Sequence, residues 1–133
     1  MISKESTIKK IQKEISSQKY DEAIKLIEHN KRDLVEIDYW YYLSLCSRYS
    51  KKYNEALVIL NNVIKIDPSY ARAYQEFGHN YFKLNNYKMS LKSYLRAVRY
   101  NPTLHASWLG ILGIKNVEQN IIDLATQKVL YLK

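Results

Sequence analysis

Residues 73–102 read AYQEFGHNYFKLNNYKMSLKSYLRAVRYNP. Tyr74, Phe77 and Tyr81 surround the small Gly78 at i, i+3, i+4 spacing, which is one face of a helix. A second face follows, with Ser90 and Ala97 set around Tyr94. Asn85 and Asn86 lie between the two, and Asn tolerates the left-handed conformation that ends a helix. Pro102 stops the second helix, and Asn101 before it is pushed out of the helical region. The stretch therefore predicts a helix hairpin in which small residues receive large ones.

Outward from this hairpin the pattern recurs. Residues 38–68, DYWYYLSLCSRYSKKYNEALVILNNVIKIDP, repeat it at an offset of 34, with Pro68 matching Pro102 and Asp67 matching Asn101. Trp40 stands for Tyr74, Leu43 for Phe77 and Ser44 for Gly78; Tyr53, Ala56, Leu60 and Val63 stand for Tyr87, Ser90, Tyr94 and Ala97. Tyr20, Ala23 and Ile27 continue it backward with a one-residue slip. Trp108 and Ile111 continue it forward, after which Ala125 and Val129 take the second-helix places. A fixed period of this length predicts stacked helix pairs. The expected fold class is all-α, with eight helices near 4–17, 21–31, 37–50, 54–66, 71–84, 88–100, 105–117 and 121–132. The whole of 1–133 reads as one domain of four units: 4–36 (degenerate), 37–70, 71–104 and 105–133 (degenerate).

Composition agrees with this. Three Gly and two Pro in 133 residues are too few breakers for a many-stranded sheet. Cys46 is the sole cysteine, so no internal disulfide forms, and a reducing, cytoplasmic compartment is expected. The N-terminal MISKESTIKK has no apolar signal core, and no membrane span is expected. Of the net charge of +8, most sits in residues 71–102, which hold six basic side chains and one acidic. The abundance of Lys, Asn, Ile and Tyr also matches an AT-rich coding bias, so the thirteen tyrosines need not all carry a role.

Catalytic chemistry finds no foothold. His29, His79 and His105 fall in three different units without metal-ligand spacing, so no metal or cofactor is expected. A phosphate loop or nucleophile elbow would need glycines beyond Gly78, Gly110 and Gly113. Gly110 and Gly113 sit within a helical pattern and read as points of close helix packing. Cys46 reads as a small buried hydrophobe rather than a reactive thiol. The chain reads as a non-enzyme.

Residues 73–102 and 38–68 resemble the tetratricopeptide-repeat family. That resemblance implies a right-handed superhelix of antiparallel helix pairs, a solenoid whose first helices line a concave groove for an extended peptide or partner helix. Once the packing face is assigned, the groove falls to Tyr41, Tyr42, Leu45, Arg48 and Tyr49 in the second unit. In the third it falls to Arg72, Gln75, Glu76, His79, Phe82 and Lys83, with Leu109, Gly113 and Asn116 beyond. The wall is aromatic and apolar, interrupted by cations. Aromatic and Arg side chains bury much area at low entropic cost, as binding hot spots require. Relatives that hold acidic chaperone tails use Lys, Asn, Asn, Lys and Arg at fixed places; here these carry Tyr41, Leu45, Glu76, Ala106 and Gly110, so that clamp is absent.

Two further surfaces stand out. Lys88, Lys92, Arg96 and Arg99 form one stripe along a second helix, on the convex side of such a stack; a solvated face is the plain reading, and nucleic acid is not expected. The last helix, IIDLATQKVLYLK, is apolar on more than one side, which calls for a cover, either more chain or a second copy. The run from YNP through ASWLGIL to QKVLYLK also loosely resembles the repeat region preceding a sulfotransferase domain in some bacterial proteins. The expected function is a bacterial protein-interaction scaffold; an accessory domain of a larger enzyme and a self-associating module are the alternatives.

Overall fold

The computed structural model describes residues 4–132, and in them eight α-helices follow one another without a strand. They are α1 (Lys4–Ser16), α2 (Tyr20–His29), α3 (Glu36–Tyr49), α4 (Tyr53–Ile66), α5 (Ala71–Lys83), α6 (Tyr87–Tyr100), α7 (His105–Leu112) and α8 (Gln119–Tyr131). The chain divides after Asp67 into two compact units, α1–α4 and α5–α8.

In both units consecutive helices pack as pairs, α1 on α2 and α3 on α4, then α5 on α6 and α7 on α8. Three of the turns that reverse the chain share one construction. After α1, Gln18 takes a left-handed φ of 61° while Lys19 N–H donates to the Glu14 carbonyl. After α3, Lys51 (φ 64°) is followed by Lys52 N–H donating to Ser47; after α5, Asn85 (φ 62°) is followed by Asn86 N–H donating to Tyr81. Each is a left-handed cap that satisfies the last carbonyls of the helix and turns the chain within three residues. Asparagine announces the third. Gln18 and Lys51 carry no such signal, and tertiary packing imposes the conformation on them.

The α1–α4 unit closes over Ile11, Ala23, Ile27, Cys46, Ala56, Leu60 and Val63, all fully buried. Tyr39 is buried too, its hydroxyl donating to Glu28 Oε1 at 2.7 Å. Burial, and then the Glu28 carboxylate, push its phenol up to about 12. Burial likewise pushes the Cys46 thiol up to about 11, so it is a packed, protonated side chain.

In the α5–α8 unit the core is Tyr94, Val98, Trp108, Ile111, Ile114, Val117 and Ala125. The aromatic in the first turn of each first helix is pinned in the same way. Tyr74 Oη donates to the Pro68 carbonyl at 2.6 Å, and Trp108 Nε1 donates to the Pro102 carbonyl at 2.8 Å. The proline loop is thereby tied to the helix that follows it.

One element departs from expectation. A helix over 105–117 was expected, but α7 stops at Leu112 and a turn carries the chain to α8. Gly110 and Gly113 weaken the helix interior, and Asn116 takes φ 63° in the turn. Only Gly110 marks a close approach, since a side chain at Gly113 would meet no more than the Gly110 carbonyl at 3.4 Å.

Candidate apolar cleft in the second unit

Gly78 on α5 and Gly110 on α7 have one function in common. A Cβ at either would overlap the ring of Tyr94, which α6 inserts between them. Two glycines and one large ring set how closely the three helices approach. Tyr94 is only 2% exposed, and its hydroxyl lies 2.6 Å from His79 Nδ1, a hydrogen bond whose direction depends on the imidazole tautomer. Ser90 Oγ donates to the Gly78 carbonyl at 2.8 Å, fastening α6 to α5 beside the same ring.

Beyond this inlay the helices diverge and leave an open cleft of about 400 Å³, lined by His79, Phe82, Tyr94, Ala106, Leu109, Gly110 and Gly113. A smaller recess of about 200 Å³ shares Phe82 and Gly113 with it and is completed by Tyr87 and Lys115. Phe82 stands edge-on to Tyr87, ring centroids 5.4 Å apart. The lining of the larger part is mostly apolar, with the His79–Tyr94 pair as its polar contact, and Lys115 is the charged residue lining the smaller.

The expected wall residues of this unit divide. His79 and Phe82 line the cleft. Lys83 and Arg72 are exposed on α5. Gln75 is half-buried and accepts a hydrogen bond from Ser107 Oγ at 2.7 Å, which ties α5 to α7. Glu76, expected on the wall, is instead buried, at 3% exposure, on the face that also buries Asn80 one turn on. A register that places bulky residues against α6 leaves position 76 on another packed face, whereas the count from sequence had put it on the groove wall. Leu109 and Gly113 are exposed at the cleft, and Asn116 is exposed in the turn.

In the α1–α4 unit the expected wall is altered. Tyr41 and Tyr42 are buried, not open as expected; Gln12 of α1 donates to the Tyr42 hydroxyl at 3.0 Å, and Tyr41 lies edge-on to Tyr42 at 5.3 Å. Gln12 of the degenerate first unit thus lies against Tyr42, which the sequence reading left in the groove. Leu45 is half-buried. Tyr49 is exposed and carries Arg48 over one ring, 4.4 Å from its centroid, with Tyr20 stacked at 5.6 Å.

Lys88, Lys92, Arg96 and Arg99 are all exposed along α6, and Arg96 also lies 5.2 Å from the centre of the Tyr74 ring. The residues that sequence reasoning missed are Tyr94, Ala106 and Gly110. Tyr94 was read as packing alone, yet it lines the cleft. The signal available for it was the pair of glycines, each of which needs a partner large enough to explain it.

Among the described residues no group of three His, Cys, Asp or Glu could hold a metal ion, and no helix is long and apolar enough to cross a membrane. Paired helices of this length, capped and pinned at a regular interval, define a helical-repeat protein. Residues 71–104 match the family model described as tetratricopeptide repeat. That match spans one helix pair, about a quarter of the chain. The chain is 29% identical over 72 residues to anaphase-promoting complex subunit 3 of Schizosaccharomyces pombe (strain 972), a match covering 54% of this chain and 11% of that relative. In fold it is similar to a solved structure titled MamA RS-1 ArsTM double mutant, with a TM-score of 0.74, 19% identity, and coverage of 96% of this chain and 74% of that one. It is similar also to MamA 41-end from Desulfovibrio magneticus RS-1, at a TM-score of 0.71 and 19% identity, covering 98% and 75%.

Proposed function

We propose that the protein is a non-catalytic interaction scaffold and that the cleft between α5, α6 and α7 receives a segment of a partner protein. The observation that carries this reading is the open apolar recess beside a rigid inlay, Phe82 and Leu109 exposing carbon surface over a floor fixed by Gly78, Tyr94 and Gly110. Rigid walls keep the ordering cost of binding low, and a concave apolar recess with few polar groups is the form that binding sites take. Tetratricopeptide-repeat relatives make protein binding the natural class of function. A cytoplasmic location fits this reading. The experiment is capture of a partner from the native host, comparing the wild type with Phe82→Ala/Leu109→Ala. Loss of the captured protein with unchanged helical circular dichroism supports the cleft; equal capture places the site elsewhere.

A second reading rests on α8, whose Leu124, Leu130 and Tyr131 stay exposed while Ala125 faces the core. That face would be covered by a second copy.

A further inference from the structure

The α5–α8 unit carries more cations than carboxylates. The carboxylates of the α5–α8 unit are Glu76, which is buried, and Glu118 and Asp123 at the α8 end, where Asp123 accepts a hydrogen bond from Gln119 at 2.8 Å. Against them stand Arg72 and Lys83 on α5 and Lys115, which lines the smaller recess. These cations lie at positions other than those of the acidic-tail clamp, whose places here hold Glu76, Ala106 and Gly110.

The two recesses also differ in what they accept. In the larger part His79 Nδ1 and the Tyr94 hydroxyl are hydrogen-bonded to each other, and the remaining lining residues are apolar or glycine. An alkyl or aromatic side chain fits such a lining, whereas a charged one would lose its hydration without a compensating partner. The smaller part has the exposed Lys115 among the residues that line it. Because the two share Phe82 and Gly113, residues close together in one extended segment can reach both, each residue spanning roughly 3.3–3.6 Å.

We propose that the cleft selects an acidic segment of a partner protein, seating one apolar or aromatic side chain in the larger recess while a neighbouring carboxylate meets Lys115. This rests on the binding reading above. A basic segment would bring like charges toward Lys83 and Lys115, and a neutral one would engage neither.

The test uses fluorescence anisotropy of a short fluorescein-labelled peptide with a single Phe flanked by Glu, beside versions with Gln or Lys in place of Glu. The Glu-flanked peptide is expected to saturate and to bind about tenfold more tightly than the Lys-flanked one. Its advantage should shrink as added salt shortens the screening length from about 10 Å to about 3 Å. Lys115→Glu, at an exposed position, should weaken the Glu-flanked peptide and strengthen the Lys-flanked one. Leu109→Ala should weaken all three peptides. Equal affinities across the three peptides, or indifference to Lys115→Glu, would overturn the charge selection while loss on Leu109→Ala still upheld the cleft. Binding untouched by Leu109→Ala and Phe82→Ala would remove the cleft itself. Absence of saturable binding by the Glu-flanked peptide would also overturn the proposal, leaving partner capture to judge the cleft independently.

Discussion

Gly110 and Gly113 are three residues apart and look alike in sequence, yet their surroundings assign them different duties. A methyl group at Gly110 enters the Tyr94 ring, which is buried and held by His79, so the ring has no free direction in which to yield. Gly110→Ala is expected to lower stability by about 1–3 kcal/mol, the usual cost of overpacking. Gly113→Ala makes only ordinary van der Waals contacts at a φ of −80° and should be neutral or gain about 0.4–1 kcal/mol through the unfolded chain. Urea denaturation of the two variants side by side checks this contrast; equal losses would mean that the Tyr94 inlay is not what Gly110 serves. Tyr39 gives a prediction in pH. Its phenol is raised from 10.0 to about 12, so the fold favours the neutral form. That contribution is fully present below pH 10 and is lost as pH climbs through 12. Cys46 adds to the alkaline loss in the wild type, so the difference from Tyr39→Phe isolates the phenol. The variant should be less stable at neutral pH, having lost the hydrogen bond to Glu28, and should show a flatter decline in thermal midpoint between pH 9 and 12. A parallel decline would remove the role assigned to this hydroxyl.

For the elements, the decisive features are the reversals between helices. Three of them carry the same pattern of bonds into the last turn, with a residue at positive φ in each. All three carry a Cβ that crowds it, a cost eased at Asn85 by a short polar side chain and not at Gln18 and Lys51. Lys51→Gly is expected to stabilise the α3–α4 pair by up to about 1 kcal/mol, the relief of left-handed strain slightly exceeding the added freedom of the unfolded chain. The same change at Lys52, which is not left-handed, should be unfavourable, and chemical denaturation of both distinguishes the two cases. Seven of the eight helices were legible to within a residue or two at either end, because large-and-small alternation and the prolines bracket them. The α7 end was not, since periodicity alone cannot tell a helix interrupted by glycine from one that ends there.

For the molecule as a whole, two compact units each bury their own core, and the cleft belongs to the second. Solubility then depends on what meets the remaining apolar surface. Leu130 and Tyr131 are 62% and 79% exposed at the end of α8. If a second copy covers them, the weight-average mass from light scattering should rise with concentration. Leu130→Lys/Tyr131→Lys should then hold the protein at its monomer mass with helicity intact. A constant mass for the wild type across that range would dismiss self-association through this face.

Local patterning fixed the repeating helix hairpin, its phase and the sites of reversal, because side-chain volume and backbone preference act between near neighbours and leave their mark in the residue order. His79 and Phe82, counted from that patterning, both line the cleft. Which other residues face the cleft depended on contacts between distant positions. Burial of Tyr42 under Gln12, withdrawal of Glu76 into a packed face and insertion of Tyr94 between two glycines each require helices to meet before the environment exists. A wall made of leftover positions can be counted along one helix, but its openness is set by the neighbours that come to lie across it.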